Sequence, residues 1–131
     1  MKTHNLLLIG LGVIIIASVF AFKPVQKSSK VQYMQVTTIE SIIPGGLGRS
    51  KMLITKPDGS FTEEKMENLY SMAGINFGNV TANDKDIVNK INSLSADNWE
   101  LESVTVGAQS PSEGTAQGIF LTRYLFKKLV E

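Results

Sequence analysis

Residues 83–106, NDKDIVNKINSLSADNWELESVTV, change their hydrophobic period midway, so the chain there must pass from a helix to a strand across one short turn. Ile87, Ile91 and Leu94 recur at helical spacing with Val88 beside them, an apolar stripe for a sheet to cover. Asp84, Lys85, Asn89, Lys90 and Asn92 make up the opposite, polar face. Asn83 is suited to cap the first turn, with Asp84 and Asp86 favourable at the positive end of the helix dipole. Ser95-Ala96-Asp97-Asn98 breaks the pattern, and from Trp99 the period drops to two, with Trp99 and Leu101 on one face and Glu100 and Glu102 on the other.

The second constraint is the uncharged run between Lys2 and Lys23, whose core at residues 6–22 reads LLLIGLGVIIIASVFAF. So apolar a segment has no place in a small soluble domain, and residues 1–22 read as an export signal or a membrane anchor. Val19-Phe20-Ala21 offers a small-residue cleavage site; the length of the run and Lys23, Lys27 and Lys30 behind it suit a retained anchor. Residues 23–30, KPVQKSSK, are a polar linker whose lysines either touch anionic head groups or serve as a solvated spacer. The expected location is across or in a membrane: periplasmic, secreted or membrane-tethered.

Residues 31–128 form the expected single domain. Residues 31–43, rich in Val, Ile, Thr and Tyr, read as a strand, ended by Pro44-Gly45-Gly46. The glycines of GGLGRSK, residues 45–51, invite a phosphate-loop reading, but the spacing is not that of a Walker loop and no good helix follows, so the stretch reads as a connection. Lys51-Met52-Leu53-Ile54-Thr55 is a short strand, and Lys56-Pro57-Asp58-Gly59 a turn. Met66, Leu69, Tyr70 and Ala73 then fit one face of a helix, with Ser60 and Glu63 as a capping box; a hairpin returning over residues 60–66 is the competing reading. Ile75 and Phe77 are expected to plug the core edge. Residues 107–118, GAQSPSEGTAQG, read as an exposed connection, and residues 119–128, IFLTRYLFKK, as the strongest strand. Both long strands carry apolar residues on both faces. One sheet face packs on the helix; the other needs the segment at 45–80, or a second molecule.

Asn98-Trp99-Glu100-Leu101-Glu102-Ser103-Val104 after a helix, with a last strand ending Tyr124-Leu125-Phe126-Lys127-Lys128, resembles a family of small uncharacterised bacterial domains. The resemblance covers residues 31–43 and 83–128 and implies a β-α-β-β order, with residues 44–80 as an insertion. Because that family has no established activity, it transfers no functional residue. The expected fold is α+β: a small antiparallel sheet of three to four strands with one main helix on one face, preceded by an N-terminal hydrophobic helix.

Chemistry is narrowed mainly by what is missing. The chain has no cysteine, and its one histidine, His4, precedes the apolar run. Histidine triads, thiol nucleophiles and the usual transition-metal sites are thereby excluded from the exported part, and no cofactor is indicated. Setting aside the first 22 residues removes Lys2 alone, leaving twelve bases against twelve acids, a balance unlike that of a nucleic-acid binder. Trp99, Tyr124, Phe126 and Arg123 stand out as interaction residues or core anchors, with Glu40 a candidate acid for Arg123. The expected function is a non-enzymatic module acting through a protein partner or self-association and tied to a membrane by its N-terminal segment. The alternative is a small carboxylate-dependent hydrolase or ligand-binding protein. Deleting the apolar run and linker is expected to leave a soluble domain, from about residue 31, that unfolds cooperatively in urea; an insoluble or non-cooperative product would show that the core draws on the N-terminus.

Overall fold

The structure, a computed structural model, describes residues 30–43, 48–110 and 118–130. Its strands are β1 (Lys30–Ser41), β2 (Lys51–Thr55), β3 (Phe61–Lys65), β4 (Tyr70–Ser71), β5 (Gly74–Ile75), β6 (Glu100–Gln109) and β7 (Ile119–Val130), with helix α1 (Phe77–Ala96) between β5 and β6. Five strands form one antiparallel sheet in the order β3-β2-β1-β7-β6, and β4 pairs with β5 as a small separate hairpin. The fold is therefore mainly β, a correction to the expected α+β domain of three to four strands. The expected hydrophobic helix at residues 6–22 lies outside the described residues. Among those described, no helix is long and apolar enough to cross a membrane.

The additional strand arises at the turn after β2. Asp58 Oδ1 accepts from Ser60 N at 2.9 Å and from Ser60 Oγ at 2.6 Å, while Lys56 N donates to Ser60 O at 2.8 Å. Ser60 is thus committed to the turn and has no hydroxyl free to cap a helix with Glu63. Gly59 supplies the positive φ, 83°, that the reversal needs. The chain returns with Phe61 opposite Thr55, so residues 61–65 are the return strand of a hairpin and not part of a helix, a correction to the helical expectation.

Helix α1 begins six residues before Asn83, which is not its cap. Asn76 caps it, its side chain accepting from Gly78 N and Asn79 N at 3.1 and 3.3 Å. Asn83 lies instead at the head of the Ile87, Ile91, Leu94 stripe and is 0% exposed. Its Oδ1 accepts from Glu67 N at 2.9 Å, and its Nδ2 donates to Glu67 O at 2.9 Å and Glu40 Oε1 at 3.1 Å. One buried amide thereby joins the helix to β1 and to the segment after β3.

The C-terminal end of α1 closes by a Schellman turn. Trp99 N donates to Leu94 O at 2.9 Å and Asn98 N to Ser95 O at 3.0 Å, with Asn98 at φ 63°. The left-handed residue turns the chain directly into β6 and lays the Trp99 side chain against Leu94, the apolar contact this motif favours. The core between helix and sheet consists of Val36, Met52, Ile54, Met66, Leu94, Trp99 and Phe126, edged by Met34, Ile87, Ile91 and Tyr124. Val88 stays exposed beside the stripe.

Asn83→Ala is expected to lower stability in urea unfolding by about 2–4 kcal/mol, because it strands the Glu67 N–H and C=O in a dry site. A loss within about 0.5 kcal/mol, the range of an ordinary surface change, would show that the bracket does not hold the helix.

Candidate interaction surface

Partners directly opposite in a sheet share a face, so the register assigns every strand residue to the helix side or to the opposite, open side. On the open side the central row runs Glu63, Leu53, Thr37, Arg123, Thr105 from one edge to the other. Phe61, Thr55, Gln35, Leu125 and Ser103 form the row on one side of it; Lys65, Lys51, Ile39, Leu121 and Gly107 form the other. Tyr33 and Lys127, then Val31 and Leu129, extend the face along β1 and β7.

The segment expected to cover this face does not lie on it. β2 and β3 join the sheet edge to edge, widening the open face, and Met66 turns into the core on the helix side. The β4–β5 hairpin is held beside the start of α1, where Asn76 N donates to Leu69 O at 2.8 Å and Asn79 Nδ2 to Asn68 O at 2.8 Å. Ile75 and Phe77 do not plug the core: both are exposed. Tyr33 at 51% exposure, Phe61 at 63% and Leu129 at 67% are left on the open face with Val31, around half-buried Leu53, Ile39, Leu121 and Leu125.

Of the four residues singled out from the sequence, three gather at the core and Arg123 stands apart. Phe126 and Trp99 are core. The Lys128 ammonium lies 5.7 Å from the Trp99 ring centroid and donates to Asp97 O at 2.8 Å, so the indole is covered by a cation and is no open binding platform. Tyr124 edges the core on the same side, with its phenol pushed above the usual tyrosine range by burial first, then by the charges of Glu40 and Asp84. Arg123 alone is on the open face. Glu40 is not its partner: Glu40 sits opposite Phe120 on the helix side and accepts from Asn83, whereas Arg123 sits opposite Thr37. Among the described residues Arg123 makes no ion pair. The double-faced alternation of the two long strands pointed in the sequence to an apolar face opposite the helix; which side chains make it up was not legible there, because only strand pairing shows which residues share a side.

A cluster of acids, the open-face Glu63 among them, lies at one edge of the sheet. A groove of about 680 Å³ at the end of the β2–β3 hairpin is lined by Arg49, Lys51, Glu63, Glu64, Lys65 and Glu67, among others. Each carboxylate there meets a lysine: Glu63 with Lys51 at 3.0 Å, Glu64 with Lys90 at 2.6 Å, Glu67 with Lys65 at 3.9 Å. Such a rim is charge-balanced and presents no isolated pair of acids for proton transfer. Glu100 and Glu102 both stand beside Lys127 on the open side, Glu100 opposite it in the register and Glu102 bonded to it, with a bulge between Leu101 and Ser103. Glu102 binds Lys127 at 2.5 Å, a hydrogen bond that holds the ammonium pKa above the usual lysine value. Among the described residues no three His, Asp or Glu side chains gather as a metal site. Comparison of the chain with protein-family models, with curated proteins and with solved structures found no match.

Because the Tyr124 pKa is raised in the folded state, its contribution to stability is whole below the ordinary value of 10.0 and is lost as pH rises through the folded-state value. The phenolate absorbance of the native protein minus that of Tyr124→Phe is expected to titrate above the ordinary tyrosine value, and Asp84→Asn to bring that midpoint down. A difference curve centred at the ordinary value would mean that water reaches the phenol freely.

Proposed function

We propose that this chain is a non-enzymatic protein-docking module, delivered to or held at a membrane by residues 6–22, whose working surface is the open face of the sheet. The observation that carries this reading is the open face itself: Tyr33, Val31, Phe61 and Leu129 stand exposed around Leu53, Leu121 and Leu125, with Lys51, Glu63, Lys65 and Lys127 toward the margins and the Arg123 guanidinium at the centre. Exposed apolar side chains contiguous on one face favour association, and a central cation selects partners that bring an acid to meet it. The hydrolase or ligand-binding alternative would have to use the groove at the β2–β3 hairpin, whose carboxylates are each already engaged by lysine.

A photoactivatable residue placed in the full chain at Tyr33 or at Leu129 is expected to yield discrete protein adducts in the cell, weakened by Arg123→Glu. The same probe at Lys85, on the solvent side of α1, is expected to yield none. Adducts equal at all three positions, or absent from the two sheet positions, would overturn the docking face.

A further inference from the structure

Among the described residues the sheet has two free edges, β3 and β6, and they are protected differently. At β3, Glu63, Glu64 and Lys65 make three charges in five residues, and Glu64 is bound across to Lys90 on the helix. Charged side chains of this kind discourage a second strand from adding to an edge. β6 is twice as long and carries its protection only at the start, where Glu100, Glu102 and the bulge at Glu102 lie. From residue 103 to 109 the edge reads SVTVGAQ, with no charge, no proline and no further bulge, and every residue is exposed. In an antiparallel strand alternate residues turn their amide and carbonyl away from the neighbour, so β6 offers outward-facing hydrogen-bonding groups along its length. Val104 and Val106 are beside them on the helix side, Val106 at 70% exposure, because α1 lies over the other part of the sheet.

We propose that β6 pairs antiparallel with β6 of a second copy of this chain, joining two five-stranded sheets into one. The strand is self-complementary when the two-fold axis, normal to the sheet, passes midway between the Thr105 residues of the two copies. Thr105 then faces Thr105 of the second copy and Val104 faces its Val106, pairs of the type that stabilise adjacent strands. Past the bulge at Glu102 the register advances by one, so that Leu101 meets Ala108 and Glu100 meets Gln109, and no carboxylate is set against another. Both helices stand on the same side of the joined sheet, and the two open faces run together into one surface. This association uses a different surface from the docking face and stands whether or not that face binds a partner.

The absence of cysteine allows the pairing to be read by disulfide formation in the full-length protein in mild detergent. Thr105→Cys is expected to oxidise largely to a covalent dimer on a non-reducing gel. Gln109→Cys, which faces Glu100 of the second copy and is far from its own counterpart, and Thr62→Cys, on the β3 edge, are expected to remain monomeric. Adding Val106→Lys to Thr105→Cys puts a charge into the exposed run without touching the core, and is expected to abolish the dimer. A monomeric Thr105→Cys protein would overturn the proposal, as would equal crosslinking at Thr105, Gln109 and Thr62, the mark of random collision. Open-face adducts from Tyr33 and Leu129 that persist beside a monomeric Thr105→Cys would leave docking intact and remove the edge pairing alone.

Discussion

The amide of Asn83 decides where the helix lies. Below it on the same stripe, Ile87, Ile91 and Leu94 supply apolar contact, which is strong but non-directional, so grease alone would let a helix slide or roll on a sheet. A fully buried amide has no such freedom, since each unpaired polar atom in a dry site is costly. Its three hydrogen bonds reach Glu40 on β1 and both backbone groups of Glu67, residues distant in the chain. Helix, central strand and the segment after β3 are therefore held in one arrangement, with α1 over the β1–β3 part of the sheet.

Two exposures follow from that placement. The helix can cover one side of the sheet only, and β2 and β3 are added in the plane of the sheet, so among the described residues the other side gains area without gaining cover. On the covered side the helix leaves Val104, Val106 and Phe120 exposed toward the β6 edge. The Schellman turn at Asn98 fixes this as firmly as the bracket does, because it ties the end of α1 to the start of β6 through Trp99 and Leu94 and gives the helix no length with which to shift across. Apolar surface open to water and a strand edge without charge are the usual materials of association.

Charge is distributed in keeping with that division. Four lysines hold four glutamates around the hairpin groove and the start of β6, at sites solvated enough that such pairs add little to stability but do neutralise one another. Arg123 is the exception, a cation at the centre of the open face with no ion-pair partner among the described residues. Any surface that seats there must bring hydrogen-bond acceptors to it, which turns an apolar face into a selective one.

The sequence by itself determined the elements whose signal is local. The stripe Ile87, Ile91, Leu94 and the change of period at Trp99 marked helix and strand, and the β-branched run of residues 31–43 and KMLIT marked β1 and β2, because each pattern states its own periodicity within a few residues. Hydrophobic spacing also indicated that the two long strands have apolar side chains on both faces. Tertiary structure decided the rest. Residues 61–65, FTEEK, carry no decisive periodicity, and became a strand because Asp58 captured Ser60 in the turn and β2 offered an edge. Residues 77–82 are poor helix formers, yet helix begins there because Asn76 caps it and Asn79 is anchored to Asn68. Arg123 and Glu40 suit each other in composition, but strand register sets them on opposite sides of the sheet. Which apolar residues end in the core and which face water is a property of pairing across the sheet, and residues that meet there are far apart in the chain.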